Sequence, residues 1–353
     1  MNCKILARVL AFLVSLSSAN VLADWHTKSI QAMTTHIEWS YWLDDHVHDQ
    51  EQPVSAAELR AGKGAEPKIK DGSYSESIDA ALSLVFQSVD ERMSRHSDKS
   101  ELSHVNKVAA DYPVAVSSSL FRVLDASIRM SQLSEGAFDM TFASVGYLYN
   151  YREKLRPDQA VIEPVKELID YRLVQLDPIK QSVFFAKSGV RIDLGGVAKG
   201  YSVDEAIDVL RRFGVQYARV SAGGDMRLLG SKRGEDWVVG IKDPRQPDEL
   251  AVRLPLSNVA ISTSGDYERY FIDEDGTRVH HILSPSTGRP ARELQSVTVI
   301  GDLSIDTDAL STAVFVLGVE RGLALINRLD GFDAILIDQK RKMHYSAGLM
   351  PPE

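Results

Sequence analysis

Arg191-Ile192-Asp193-Leu194-Gly195-Gly196-Val197-Ala198-Lys199-Gly200-Tyr201-Ser202-Val203-Asp204 is the stretch whose reading decides the fold. Its first half reads as an apolar strand that ends in a carboxylate and a double glycine. Its second half opens a helix over 198–212, with Val203, Ile207 and Leu210 facing inward. Glycine backbone can approach a ligand closely. The free N–H groups of a helix start favour an anionic group, and Lys199 adds a positive charge. The run offers a seat for a phosphorylated ligand. A tight strand-to-helix turn with no ligand explains the glycines equally well. Neither common phosphate loop is present, since G-x-G-x-x-G and G-x-x-x-x-G-K-[ST] are both absent.

Working outward, Val183-Phe184-Phe185 and Val190-Arg191-Ile192 flank Lys187-Ser188-Gly189, which predicts a hairpin. Further strands are expected near 217–221, 226–229, 237–241, 259–263, 267–272 and 296–300, with a terminal hairpin at 334–346. A first strand is expected over 33–43, where Trp39, Tyr41 and Trp42 fall. Three- and four-residue spacing predicts helices over 77–93 (Ile78, Leu82, Val85, Val89, Met93) and 118–133 (Leu120, Val123, Leu124, Ile128). Gly136 stands just past the second as a C-cap. A further helix covers 308–317 or longer. Ser100-Glu101-Leu102-Ser103 and Asn106 read as a polar connection. The mix predicts an α+β fold, with mixed or antiparallel sheets and packed helices, rather than a doubly wound sheet.

The 353 residues are 44% hydrophobic and 25% charged, enough for one large domain or two closely joined ones. Lys4 and Arg8 precede an apolar segment over 9–22, and Val21-Leu22-Ala23 offers small residues before Asp24. That layout predicts a secretory signal peptide over 1–23 and a functional domain over 24–353. A retained anchor is the alternative. The expected location is periplasmic or exported, and soluble after cleavage. Nothing else in the sequence reads as long and apolar enough to span a bilayer. The only cysteine, Cys3, lies in the signal segment, so the remainder has no disulfide, thiolate metal site or cysteine nucleophile. The net charge is −9, and losing Lys4 and Arg8 makes the remainder more acidic. An acidic chain without a basic tract argues against nucleic-acid binding and suits a site for a divalent cation.

Asp308-Ala309-Leu310-Ser311-Thr312 opens an apolar helix and sets three side-chain oxygens on one face. A carboxylate and a hydroxyl, completed by carbonyl and phosphate oxygens, suit Mg²⁺ in an open site. A capped helix start explains the same residues. His280-His281-Ile282-Leu283-Ser284-Pro285-Ser286-Thr287-Gly288 places two histidines before a turn. On a strand they face opposite ways, so at most one serves a given site, as a general base near neutral pH. Packed or surface histidines are the plainer reading. Ser221-Ala222-Gly223-Gly224-Asp225 ends a strand in a second double glycine. Glu135-Gly136-Ala137-Phe138-Asp139-Met140-Thr141 brings an aromatic and a carboxylate together. Ile261-Ser262-Thr263-Ser264-Gly265-Asp266 is a hydroxyl-rich turn. No G-x-S-x-G elbow supports a serine hydrolase. Asp44-Asp45-His46-Val47-His48-Asp49 lies in a polar loop over 44–74 with no apolar frame, and reads as a solvated charged loop rather than a metal cluster.

In this order along the chain, these blocks, together with Ser94 through Asn106, resemble the FAD:protein FMN transferase family, the flavin transferases once labelled thiamine-biosynthesis lipoproteins. The likeness runs from about Met33 to near the C-terminus. It implies FAD in a cleft between two closely joined lobes, a Mg²⁺, and transfer of FMN to a Ser or Thr hydroxyl of another protein as AMP leaves. The acceptor it implies is a flavoprotein subunit, a membrane-associated respiratory or redox protein. By the same likeness Asp308 and Thr312 ligate the metal with Ser311 and the Gly196 carbonyl. Ala137, Phe138, Asp139, Asp193, Lys199 and Leu283 line the FAD, Met33 and His96 touch its rings, and His281 is catalytic. Three features depart from the family pattern. Thr34 stands in Met33-Thr34-Thr35 where Gly is usual, Ser284 replaces an aspartate, and the 44–74 loop is longer. Two other readings use the same site: an FAD pyrophosphatase giving FMN and AMP, and a non-catalytic flavin carrier.

Overall fold

The computed structural model describes residues 24–43 and 74–350. The 1–23 segment and the Asp44–Asp49 cluster lie outside the described residues. An eight-stranded sheet organises the chain, in the order β1-β2-β6-β7-β10-β15-β16-β17. These strands are β1 (Asp24–Ala32), β2 (Thr35–Leu43), β6 (Ala218–Ala222), β7 (Asp225–Leu229), β10 (Ala260–Gly265), β15 (Leu294–Gly301), β16 (Asp333–Asp338) and β17 (Met343–Tyr345). Every pairing among the described residues is antiparallel, as the α+β reading expects. The sequence pattern revealed β2 but not β1. β1 is an edge strand whose described side chains are exposed or half-buried, and its polar residues hide the alternation and also discourage edge-to-edge pairing.

Two helices cover one face of the sheet. α6 (Ala198–Arg212) matches its expected span, and α7 (Ser304–Ile326) starts four residues before Asp308. Their backbones meet at Gly200, where a Cβ would stand 2.1 Å from the Ser304 carbonyl oxygen, so only glycine fits. By length and composition α7 is apolar enough to cross a membrane, contrary to the sequence reading, although non-helical backbone at Gly318 (φ 79°) interrupts it. It packs instead against α6, β10 and β15, which explains why its apolar residues are not confined to one stripe. The opposite face carries the hairpin of β8 (Trp237–Lys242) and β9 (Leu250–Leu256), and Trp237 and Val239 pack there on Leu228, Ile261 and Ile300.

Buried apolar residues form two large clusters. One joins α1 (Tyr74–Met93), α6, β2 and β6 around Trp39, Tyr41 and Phe86. The Trp39 indole donates to Asp79 at 2.8 Å, so its polar end is satisfied. The other joins α3 (Ser118–Leu133), α7, β15 and a small sheet of β3 (Val114–Ala115), β5 (Ser182–Phe185) and β4 (Val174–Asp177). Met33 packs against both clusters.

Two local expectations are corrected. Residues 190–194 form no strand. Side chains satisfy this backbone in place of a ladder. Asn106 accepts from the Ile192 amide at 2.7 Å and donates to its carbonyl at 2.9 Å, and the Ser144 hydroxyl accepts from the Arg191 amide at 3.0 Å. Asn106 itself lies on α2 (Glu101–Val108), not in a connection, and the Ser100 hydroxyl caps that helix by accepting from Ser103 N. Only Leu102 and Val105 of α2 are buried, too few to show a period.

Candidate active site

A cleft of about 340 Å³ gathers residues from distant parts of the chain. Its walls come from the tip of the β1–β2 hairpin, the end of α1, the 137–142 turn, the double-glycine run into α6, the end of β10, the 281–285 segment and α7. Of the residues singled out in the sequence, Met33, His96, Ala137, Phe138, Asp139, Asp193, Gly196, Lys199, His281, Leu283, Asp308 and Thr312 all line it. Ser311 does not. Its hydroxyl is fully buried, donates to the Asp308 carbonyl at 2.8 Å and shares a hydrogen bond with Ser264 at 2.8 Å.

Three charged groups meet at the start of α6. The Lys199 ammonium lies 2.6 Å from Asp225 and 3.4 Å from Asp308. Burial opposes the Lys199 charge, but Asp225 and Asp308 outweigh it and hold the amine protonated. Asp308 is only 3% exposed, not the open residue its place in a ligand site suggests. Burial, with Asp225 adding to it, pushes its carboxyl up, against the pull of Lys199 and the Gly200 amide. That amide donates to Asp308 at 3.0 Å. Asp225, immediately after the Gly223-Gly224 pair, carries a site role that its sequence block showed only as a strand end.

The oxygens around Asp308 suit a hard cation. The Thr312 hydroxyl lies one turn along α7, 3.2 Å from Ser264. Gly196 backs onto it, since a Cβ there would sit 3.3 Å from the Thr312 hydroxyl oxygen. The donor set is one carboxylate, one hydroxyl and a nearby main chain. No group of three His, Cys, Asp or Glu residues arranged to hold a metal occurs among the described residues. Such a sparse oxygen set fits Mg²⁺, which keeps waters and shares phosphate oxygens.

Elsewhere the carboxylates shape backbone. Asp139 accepts from the Thr141 amide and hydroxyl and from the Tyr171 amide. Burial pushes its carboxyl up and those bonds pull it back. Asp193 accepts from Gly195 N at 2.7 Å and pairs with Arg95 at 3.0 Å. These bonds fix the turns that present Phe138, itself 4% exposed, and the glycines. At the hairpin tip Met33 and Thr34 take φ of 52° and 59°, left-handed values that favour glycine. The Thr34 hydroxyl accepts from Arg269 across the cleft at 2.8 Å. His96 is exposed, with its ring against Arg95 at 3.2 Å. Burial, then Arg95 and Arg269, lower its pKa.

The adjacent histidines diverge, with only His280 in a strand (Arg278–His280) and His281 just past its end. The His280 ring bonds the Ala291 carbonyl at 2.7 Å, while His281 lines the cleft. Its Nδ1 is enclosed without a hydrogen-bond partner. Burial, reinforced by Arg269, His280 and Lys199, pushes its pKa down to about 3. The imidazole is therefore neutral at pH 7 and free to accept a hydrogen bond.

A model of the ApbE family matches residues 33–336, most of the chain. The chain belongs to the ApbE family. Curated members include an FAD:protein FMN transferase of Treponema pallidum, 32% identical over 84% of this chain and 87% of that protein. Another, from Klebsiella pneumoniae, is 34% identical over 76% of this chain and 85% of its own length. Among solved structures, the ApbE protein of Thermotoga maritima superposes with a TM-score of 0.77 at 29% identity. It covers 92% of this chain and 98% of its own. The flavin transferase ApbE of Vibrio cholerae gives 0.74 at 26%, over the same shares. Within this ApbE fold, Arg95 and Arg269 also line the cleft. Arg95 falls in the Ser94–Asn106 block beside His96, whereas Arg269 belongs to no block and only the fold brings it to Thr34.

Proposed function

We propose that this chain transfers the FMN part of FAD to a Ser or Thr hydroxyl of an acceptor protein, with Mg²⁺ at Asp308 and Thr312, and releases AMP. Family membership and the transferase names of its relatives support the reaction class. The observation that carries the reading is the single cleft wall shared by the α6 start, Lys199, Asp308 and Thr312. Asp308, Thr312 and the Gly196 carbonyl would hold the ion, with Ser311 fixing the Asp308 turn from beneath. When bound, Mg²⁺ neutralises charge that builds on the pyrophosphate. Lys199 and the N–H groups entering α6 orient the same phosphates. The acceptor hydroxyl oxygen bonds to the FMN phosphorus, the bond to the bridging oxygen breaks, and AMP carries that oxygen away. His281 takes the hydroxyl proton. A pyrophosphate in the cleft would offset Arg269 and Lys199, the cations that help hold the His281 ring unprotonated, and so raise its proton affinity.

Residues 1–23 are removed on export in this reading, and the remainder works in the periplasm. The basic, apolar and small-residue layout supports this. N-terminal sequencing of the exported protein is expected to begin at Asp24, and an intact or lipid-bearing N-terminus would contradict it.

AMP release separates transferase, hydrolase and carrier. AMP is expected to appear with FAD and Mg²⁺ only when an acceptor is present. Equal FMN and AMP with and without acceptor would favour the pyrophosphatase. Tight FAD binding with no AMP under any condition would favour the carrier.

A further inference from the structure

We propose that Asp204 is a positioning residue for the metal ligands Asp308 and Thr312, acting through the start of α7. The inference rests on the reading of those two residues as Mg²⁺ ligands. Asp204 lies in the second turn of α6 and is 7% exposed. One of its oxygens accepts from the Ser304 amide at 3.0 Å and from the Arg227 guanidinium at 2.7 Å. The other accepts from the Ile305 amide at 2.9 Å. The Ser304 and Ile305 amides are free donors of a helix start. α7 has no side-chain cap of its own, because its N-cap residue is Leu303. A carboxylate from another helix takes the cap's place, where the helix dipole favours negative charge.

The spacing makes this cap an axial stop. Asp204 is four residues past Gly200 on α6, and Asp308 is four past Ser304 on α7, so each pair shares a helix face. Asp204 reaches the α7 amides, and Asp308 reaches back to the Gly200 amide at 3.0 Å. The two carboxylates form successive rungs between the helices. Sliding α7 along its axis would break both. Arg227, on β7 and two residues from Asp225, holds the upper rung to the sheet. Packing on β10 and β15 holds the body of α7. Asp204 fixes the end that carries the ligands, and outer partners of this kind set metal affinity as well as ligand geometry.

The test compares wild type with Asp204→Asn, which keeps the side chain's shape but loses its charge and an acceptor. The readouts are the rise in melting temperature on Mg²⁺ titration with FAD present, FAD binding in EDTA, and the Mg²⁺ dependence of transfer. In Asp204→Asn the half-saturating Mg²⁺ is expected to rise about 10-fold in both titrations. FAD binding in EDTA and kcat at saturating Mg²⁺ should be retained, the pattern of lost affinity without lost chemistry. A lower melting temperature with unchanged half-saturating Mg²⁺ would show a merely structural cap and overturn the proposal. If Asp204→Asn does not fold, Arg227→Lys keeps a cation at the carboxylate and is expected to raise half-saturation less, in the same direction. No change there overturns the proposal too. A wild-type protein whose melting never responds to Mg²⁺ would remove the metal reading itself, and the role of Asp204 with it.

Discussion

Asp308→Ala is expected to lower Mg²⁺-dependent transfer by about 10³-fold or more, the size of the charge stabilisation a catalytic metal supplies. The fold should survive. Lys199 keeps Asp225 at 2.6 Å, so no buried cation is stranded. The Gly200 amide loses its acceptor, which costs about 1–3 kcal/mol. Asp308→Asn leaves an oxygen for that amide and isolates the loss of charge. The measurement is AMP release after EDTA treatment and Mg²⁺ titration, beside a thermal melt of each variant. Wild-type turnover in Asp308→Ala would remove Asp308 from the metal site.

His281→Ala is expected to slow transfer by about 10²–10⁴-fold, the range for a lost general base, with FAD affinity largely kept. Its ionisation can be followed directly. Burial and the neighbouring cations push the ring's pKa down to about 3. The protonated form is therefore populated only below that range, and the ring is neutral from about pH 5 upward. Ring-proton NMR of the FAD-free protein should show no His281 titration near the ordinary 6.5. Addition of an FAD pyrophosphate should move its midpoint upward. A normal titration in the free protein would contradict the enclosed, cation-flanked ring. A variant that keeps full transfer would take the proton-accepting role away from His281.

The sequence was most legible where cause and effect lie close together. α6 was read to its ends because its periodicity and the preceding glycines are local. His280 and His281 do face different surroundings, but His281 lies one residue past the strand end, so strand alternation is not what separates them. Distant partners defeated the reading elsewhere. α7 starts at Ser304, but its cap is a carboxylate 100 residues earlier, and its own N-cap position, Leu303, carries no capping side chain. Residues 190–194 look like a strand, yet Asn106 and Ser144 satisfy their backbone from other elements. The candidate site residues come largely from family likeness, which fixes positions but not surroundings. That is why Asp308 was expected in the open, and why Ser311 was grouped with residues that line the cleft. Arg269 and Thr34 meet only once the chain is folded, and no spacing announces that contact.

The central claim is covalent transfer, and the mass of the acceptor tests it most directly. The chain is incubated with FAD, Mg²⁺ and a candidate acceptor protein, and both proteins are measured by intact-mass spectrometry, with digestion to locate any adduct. The expected result is an acceptor heavier by one phosphoester-linked FMN on a Ser or Thr, formed with wild type and not with Asp308→Ala. An acceptor of unchanged mass while FMN and AMP accumulate in solution would contradict it.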